Sequence, residues 1–369
     1  MAKRLLILEN GKVFSGEGFG ASGEKIAEIV FNTSMVGYQE ILYDPAYYQQ
    51  IVVMSYPLIG NYGVNDDDFE SKSIYMAGFV VHEYNDRPSN FRYTMTLQDM
   101  MQENGVVGIC GLDTRELVKI LRDEGSMRAM ITDEGADIAE CVEKIKSTRL
   151  ETRQVEKVTT HKVWHCRTRN PKYSVAAIDL GLKYNVIKKL NDEGCNVIVY
   201  PAFTSAEDIL SYHPQGLFIS DGPGSPEDIP EVVETVRKLK GKLPIFGVGL
   251  GQLVIALAMG AKVKKAKVGH RGVNIPVRDL RTNTIDITAQ NHCFAVDAQS
   301  IDGTGLTVTH INVLDGDIEG IEDKENKIIG VMFRPDKAAM PKRAPYVFDT
   351  FAEYLNMSGG KGYAQKNRY

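Results

Sequence analysis

Residues 244–251 read Pro-Ile-Phe-Gly-Val-Gly-Leu-Gly, and a largely apolar stretch at residues 252–261 follows them directly. An apolar strand, a sharp turn with closely spaced glycines and a buried helix together form the geometry of a nucleophile elbow. Such an elbow holds its central residue in a strained conformation at a helix N-terminus, where backbone N–H groups can hold an oxyanion. The central residue here is Gly249, which has no side chain that could attack a substrate.

Closely spaced glycines also occur in dinucleotide-binding loops. A GxGxxG motif that starts at Gly247 would need glycine at position 252, where this chain has Gln252. No acidic residue is suitably placed after a following strand either. Dinucleotide binding is therefore disfavoured, and from spacing alone a tight turn without chemistry is the plainest interpretation.

The sequence around the elbow alternates between apolar runs and stretches of helical character. The runs lie at residues 174–180, 196–202, 216–220 and 243–248. Strand–helix alternation of this kind predicts a doubly wound parallel sheet with helices on both faces, an α/β fold. Ligands bind such sheets at the carboxyl ends of the strands, so the glycine-bearing turns there are the candidate site.

The N-terminal part of the chain has a different pattern, with short alternating or β-branched runs separated by turn signals. Asn10-Gly11 between two such runs predicts a hairpin, because this pair accepts the positive φ of a tight turn. The polar stretch at 151–172 keeps no period and is predicted to be a linker. We therefore predict a β-rich domain over residues 1–150, a linker over 151–172 and an α/β domain over 173–369.

Composition narrows the classes of partner. The formal net charge of -5 disfavours nucleic acid and anionic membranes, and the apolar run at residues 5–8 is too short for a signal peptide or a membrane span. Five cysteines without CxxC spacing favour a reducing, cytoplasmic location. Seven histidines without paired spacing predict no metal site, and we expect no cofactor.

Motifs across the chain resemble a known family. The turn at 247–253 lies where class I glutamine amidotransferases carry Gly-Ile-Cys-Leu-Gly-His-Gln. Gly-His-Arg-Gly-Val-Asn at 269–274 and Gln-Asn-His-Cys-Phe-Ala-Val-Asp at 290–297 are similar to motifs specific to the carbamoyl phosphate synthetase small subunit within that class. Segments 31–42, 56–63, 88–92 and 111–115 resemble the first domain of the same family. The resemblance implies a β-rich N-terminal domain followed by an amidotransferase-like domain.

The resemblance also implies a catalytic triad, which this chain does not retain. The family uses a cysteine nucleophile, a histidine base and a glutamate that orients the histidine; the corresponding positions here are Gly249, Arg334 and Asp336. Glycine cannot form a thioester intermediate. Arginine, with a pKa above ~12, cannot act as a general base near neutral pH. We therefore expect glutamine hydrolysis to be lost.

The glutamine pocket implied by the resemblance is partly eroded. A serine from the family's first domain falls at Ala46, a glutamine-binding Gln at Leu253 and a glycine at Cys293. A site built to hydrogen-bond an amide loses roughly 10⁴-fold or more when partners are missing, so little affinity for glutamine is expected. The positions that match the family's pocket are Gly222, Gly224, Leu250, Asn291 and Phe294.

Three functions remain open at this point. The first is a catalytically silent partner of a carbamoyl phosphate synthetase large subunit, which in this family carries the ATP and bicarbonate chemistry and would use ammonia, for arginine or pyrimidine biosynthesis. The second is residual glutaminase activity with Cys293 as a displaced nucleophile, activated if Arg334 lies close; a small residue that fills space is the favoured interpretation of Cys293. The third is a regulator that binds a metabolite in the eroded pocket.

Overall fold

The computed structural model describes residues 2–336 and 346–358. The chain divides into two compact units, Met1–Glu151 and Thr152–Tyr369. The stretch that the sequence predicts to be a linker is ordered within the second unit: it contributes a short helix, α5 (Val155–Val158), and an edge strand, β10 (Trp164–Cys166). Both elements are too short for a period to be detected in the sequence.

The first unit is β-rich. Its strands are β1 Lys3–Leu8, β2 Val13–Gly20, β3 Lys25–Asn32, β4 Gln50–Met54, β5 Leu58–Ile59, β6 Gly78–Val80, β7 Glu83–Tyr84, β8 Val107–Cys110 and β9 Met127–Asp133. Its helices are α1 Tyr38–Leu42, α2 Leu97–Glu103, α3 Thr114–Glu124 and α4 Ile138–Ser147, with a 3-10 helix at Pro45–Tyr47.

Seven of these strands form a closed sheet in the order β1-β2-β8-β6-β4-β3-β9, and β5 and β7 pair in a separate two-stranded sheet. The hairpin predicted at Asn10-Gly11 is present, with Ile7 opposite Val13 and Gly11 at φ 87°. The side chain of Asp113 accepts a hydrogen bond from the backbone N–H of Glu116 and so caps α3. Closure leaves the sheet without exposed edges, and its apolar side chains form separate buried clusters.

The second unit alternates strands and helices, as predicted. Its further strands are β11 Tyr173–Asp179, β12 Cys195–Pro201, β13 Gly216–Ile219, β14 Ile245–Val248, β15 Val263–Asp279, β16 Thr284–Val296, β17 Thr307–Asn312, β18 Ile318–Asp323 and β19 Ile328–Val331. Its further helices are α6 Tyr184–Asp192, α7 Ala206–Ser211, α8 Pro230–Leu239, α9 Leu250–Ala258 and α10 Tyr346–Met357, with 3-10 helices at Pro226–Asp228 and Ala298–Ser300.

The centre of the second unit is a parallel sheet in the order β12-β11-β13-β14-β19. Side chains that alternate along these strands belong to two different apolar clusters. One contains α7, α8 and α9 and the other α6 and α10, so helices cover both faces. The doubly wound α/β fold predicted from the sequence is confirmed. The order of the strands reverses between β11 and β13, and at such a switch point ligands bind beyond the carboxyl ends of the strands.

Antiparallel strands extend this sheet on both sides. Strand β10 pairs with β12, and β18, β16, β15 and β17 continue beyond β19. Within the described residues, no helix is long and apolar enough to cross a membrane.

Candidate functional site

The elbow predicted from the sequence is present between β14 and α9. Gly249 has φ 55° and ψ −116°, and its N–H donates to the carbonyl of Val331, the last residue of β19, at 2.8 Å. A Cβ atom on Gly247 would lie 2.6 Å from Ile255 Cδ1, and one on Gly251 would lie 2.3 Å from the carbonyl oxygen of Ile219. Helix α9 therefore packs so closely on the strands that only glycine fits at 247 and 251.

A carboxylate occupies the space beside the elbow. Oδ1 of Asp221 accepts hydrogen bonds from the backbone N–H of Gly222 at 2.8 Å and from that of Leu250, the first residue of α9, at 3.1 Å. These two N–H groups converge next to Gly249, as the donors of an oxyanion hole do. A Cβ atom on Gly249 would lie 2.1 Å from the same Oδ1. The Asp221 side chain thus fills the volume that the side chain of a nucleophile would need.

A buried lysine faces the same carboxylate. Nζ of Lys183 lies 3.5 Å from Oδ2 of Asp221, and the two side chains are 3% and 8% exposed. Lys183 is the residue before α6, at the end of a loop that Asp179 holds in place. Oδ1 of Asp179 accepts hydrogen bonds from the N–H groups of Gly181 and Leu182. The loop after β11 therefore places the side-chain amino group of Lys183 at the point where the order of the strands reverses.

Arg334 follows the strand next to the elbow. Strands β14 and β19 are parallel neighbours, so Gly249 and Arg334 both follow strands that end at the same edge of the sheet. The N–H of Arg334 donates to the carbonyl of Ala289 on β16 at 2.8 Å, which fixes its backbone. Arg334 and Asp336 are half-buried. Within the described part of the chain, neither carboxylate oxygen of Asp336 accepts a hydrogen bond.

The other pocket positions are spread over several elements of the second unit. Gly222 lies against the residue that follows β11, because a Cβ atom on it would be 2.1 Å from the Leu180 carbonyl oxygen. Gly224 has φ 83°. Leu250 and Leu253 are 3% and 2% exposed and belong to the apolar cluster on the α9 face, so Leu253 is a core residue rather than a polar contact.

The remaining positions lie on β16 and in the first unit. Asn291 is buried opposite Arg271 on β15, and Phe294 is half-buried opposite Lys265. Cys293, also half-buried, lies between them, where the register of β15 shifts. Ala46 lies in the 3-10 helix Pro45–Tyr47 of the first unit, with its N–H donating to Asp44 Oδ1 at 3.1 Å.

Comparison with known proteins identifies the family. The family described as carbamoyl-phosphate synthase small chain, CPSase domain, matches residues 6–131. The family described as glutamine amidotransferase class-I matches residues 176–354. The carbamoyl phosphate synthase small chain of Listeria innocua is 44% identical over 357 residues, which is 97% of this chain and 98% of that one. The chain belongs to the carbamoyl phosphate synthase small-chain family.

Other relatives agree over the same extent. The small chain of Bacillus caldolyticus is 43% identical over 360 residues, covering 98% of both chains. The pyrimidine-specific small chain of Halalkalibacterium halodurans is 43% identical over 353 residues, which is 96% of this chain and 97% of that one. The resemblance inferred from the motifs is thereby confirmed for the chain as a whole, as a small chain that contains a glutamine amidotransferase domain.

Sequence reasoning missed two charged residues of this small chain, Asp221 beside the elbow and Lys183, which faces it. The turn at 221–224 was a candidate because it carries glycines after a strand, but nothing in the sequence shows where the Asp221 side chain points. Lys183 stands just before a helix, where an exposed lysine would be ordinary. A carboxylate directly before a glycine turn, together with a lysine after the neighbouring strand, is the signal that could have indicated a pair.

No pattern in the sequence indicates a second feature, a largely buried cluster of two histidines and a glutamate. His270, His292 and Glu319 come from three different strands, and one possible ligand atom from each lies within 4.8 Å of the others. Burial raises the pKa of Glu319 to about 8 and lowers the pKa of His292 to about 3. The ring nitrogens of His292 lie 3.0 Å from the Phe294 carbonyl and 3.1 Å from Gln290 Oε1, and a neutral ring donates to one of these two oxygens. We interpret the cluster as a structural network.

Proposed function

We propose that this small chain is a partner subunit that does not hydrolyse glutamine, and that the carbamoyl phosphate synthase containing it uses ammonia. The observation that carries the proposal is Gly249 at the centre of the elbow, with φ 55° and no side chain. The fold of the family is kept around this position, while the group that would attack the glutamine amide is missing.

The chemistry of amide hydrolysis explains why this loss is decisive. A nucleophile must form a covalent bond to the amide carbon, and a base must take its proton and return it to the departing ammonia. Gly249 offers only hydrogen at Cα. Arg334 stays protonated at any pH at which the protein works, so it cannot take a proton from a nucleophile or from water. This chain therefore has neither a nucleophile nor a base at the positions where the family carries them.

The experiment compares nitrogen donors. The chain is purified together with a carbamoyl phosphate synthase large chain, and carbamoyl phosphate formation is measured with ammonia and with glutamine. We expect formation with ammonia and only background with glutamine, because the catalytic groups for amide hydrolysis are absent. A complex in which the small chain hydrolyses glutamine is the positive control.

A matched variant separates this proposal from the displaced-nucleophile alternative. Cys293 lies on β16 rather than at the N-terminus of α9, which is where an elbow carries its nucleophile. Glutamine turnover that disappears in Cys293→Ser would establish Cys293 as the nucleophile. Turnover that survives in this variant would refute the proposal outright.

We also propose that the chain acts in the cytoplasm. Cys110, Cys141, Cys166 and Cys195 are free thiols, and three of them (Cys110, Cys141 and Cys195) are buried. Free thiols in this number suit a reducing compartment. Fractionation of cells that express the tagged chain tests the location.

A further inference from the structure

We propose that Asp221 is a built-in occupant of the oxyanion pocket, so that the chain's own carboxylate closes the site. This deepens the proposed function: the elbow has not only lost its nucleophile but is also filled by an internal anion. The inference concerns the pocket rather than the missing triad, and it can fail while the proposed function stands.

The hydrogen bonds identify the pocket that Asp221 occupies. One oxygen, Oδ1, accepts from two backbone N–H groups, that of Gly222 at 2.8 Å and that of Leu250 at 3.1 Å. Leu250 opens α9, a helix of nine residues whose N-terminal dipole favours negative charge. Donors that converge in this way stabilise the negative oxygen of a tetrahedral intermediate. With Asp221 in place, an external carbonyl oxygen finds both donors already used.

A second, independent contact supports a charged occupant. Lys183 comes from the loop after β11, whereas Asp221 comes from the turn after β13, and its Nζ lies 3.5 Å from Oδ2 of Asp221. With 3% and 8% of their side chains exposed, the two groups are removed from water. A buried ammonium and a buried carboxylate each need charge compensation, and here they face each other.

The geometry also couples Asp221 to Gly249. A Cβ atom at position 249 would lie 2.1 Å from Oδ1 and 3.1 Å from Oδ2 of Asp221. No pair of non-bonded atoms tolerates 2.1 Å, so a side chain at position 249 and the carboxylate in its present position exclude each other. Glycine at the elbow and an aspartate in the pocket therefore form one arrangement, and restoring a cysteine alone would press its side chain against the Asp221 carboxylate.

Chemical rescue tests this assignment. In Asp221→Gly the side chain that is removed corresponds to acetate, which can enter the vacated pocket and restore the bonds to the Gly222 and Leu250 N–H groups. We expect a lower melting temperature for this variant and a saturable recovery in millimolar sodium acetate, measured against sodium chloride of equal ionic strength. Acetamide, with the same shape and no charge, should give no recovery, and the native chain should show no acetate effect.

A control variant removes another buried aspartate. Asp323 is 5% exposed and accepts hydrogen bonds from the Asn326 N–H and side-chain amide. Asp323→Gly should lose stability without recovering in acetate. Recovery of both variants, or of neither, would overturn the assignment of Asp221.

A second readout covers the case in which Asp221→Gly does not fold. Asp221→Asn keeps the shape of the side chain and removes its charge, so Gly249→Cys can be compared with and without it. A thiolate next to a carboxylate is disfavoured, and thiolate is the reactive form. We expect iodoacetamide to label the thiol of Gly249→Cys at least tenfold faster when Asp221→Asn is present. The labelling of the native cysteines is measured on the matching chains that keep Gly249 and is subtracted. Equal rates would refute the proposal.

The two proposals fail separately. Glutamine hydrolysis by the native chain would refute the proposed function, whatever acetate does to Asp221→Gly. Absence of acetate recovery together with absent hydrolysis would leave the proposed function in place and remove Asp221 from the explanation.

Discussion

At the scale of single residues, Gly249 combines two requirements that the sequence shows only in part. Its φ of 55° lies in the region that glycine adopts at little cost, whereas other residues pay on the order of 1–3 kcal/mol. A family that keeps cysteine there holds that strain for the sake of chemistry. Glycine at this position avoids the strain. The close approach of the Asp221 carboxylate also requires glycine there, because a Cβ atom would lie 2.1 Å from Oδ1.

The steric part of this argument predicts a difference between two glycine variants. Gly249→Ala should lower the free energy of unfolding by about 1–3 kcal/mol more than Gly260→Ala, since overpacking adds to the cost of positive φ. Gly260 is the matched control because it has φ 95° and a Cβ atom added to it would meet no atom within 4 Å. Urea denaturation measures both, and a double-mutant cycle with Asp221→Gly should show a coupling of about 0.5–3 kcal/mol. Equal losses for the two glycine variants would show that Asp221 moves aside without cost.

At the scale of elements, α9 contains a buried amide without partners. Gln252 is fully buried, and neither Oε1 nor Nε2 has a hydrogen-bond partner within the described residues. An unsatisfied buried polar group costs about 1–3 kcal/mol. Its side chain packs against β19, because a Cβ atom on Gly330 would lie 2.9 Å from Gln252 Cγ. The helix therefore retains a polar residue at a position that behaves as core.

This observation predicts that Gln252→Met stabilises the chain. Methionine has a similar volume and no group that needs a hydrogen bond, so we expect a gain of about 1 kcal/mol, or about 2–4 °C in melting temperature. Gln252→Ala is the control and should lower the melting temperature, because it leaves a cavity. A lower melting temperature for Gln252→Met would show that the amide is hydrogen-bonded after all, for example through a buried water.

Strand β18 supplies a prediction about pH. Glu319 is fully buried, and burial raises the pKa of its carboxyl from the ordinary value of 4.5 to about 8. Between these values the folded chain keeps a proton that the unfolded chain has lost, so stability falls as pH rises, by about 1.4 kcal/mol per pH unit. Below pH 4.5 both states are protonated, and the effect vanishes.

Replacing the acid by its amide should remove this dependence. Glu319→Gln should gain stability relative to the native chain as pH rises from 5 to 8, and the two should be similar near pH 4.5. Denaturation curves at several pH values give the difference, in which the contributions of other titrating groups cancel. Parallel stability profiles for the two chains would contradict the raised pKa.

The elements also show which parts of the fold the sequence can predict. The parallel strands were predicted because buried parallel strands are continuous apolar runs, such as residues 174–180. The long pair β15 and β16 was recognised only as motifs, since it carries charged residues and glycines and its register shifts near Cys293. Burial of Asp221 and Lys183 depends on where three separate loops meet, and no local pattern encodes it.

At the scale of the whole molecule, the fold does not depend on a cysteine at position 249 or a histidine at position 334. The two faces of the central sheet are covered by apolar clusters with residues from every central strand and its helices. Burial of such side chains contributes about 1.5–3 kcal/mol each, so the cores hold the carboxyl edges of the strands together without help from a catalytic triad. A fold held in this way is consistent with the proposed function, in which the chain binds a partner without hydrolysing glutamine.

The last prediction concerns the rebuilding of activity. Gly249→Cys alone should give no glutamine hydrolysis, because the thiol has no base and meets the Asp221 carboxylate. Adding Arg334→His and Asp336→Glu should give only weak activity, since the pocket still lacks its amide partners. Catalytic groups that act as a unit are strongly non-additive, so activity should stay flat and rise late. The late steps are the family residues Leu253→Gln and Ala46→Ser, together with Asp221→Gly.

One late step has a structural cost that must be measured together with activity. Leu253 is 2% exposed within an apolar cluster, so Leu253→Gln places an amide in the core and should lower stability by about 1–3 kcal/mol. Melting temperatures along the series separate this loss of stability from a loss of chemistry, and the same series built on Gly249 is the control without a nucleophile. Near-normal hydrolysis from Gly249→Cys by itself would mean that another group acts as the base. It would also mean that Asp221 leaves the oxyanion pocket freely, and the explanation given for the silent site would then be wrong.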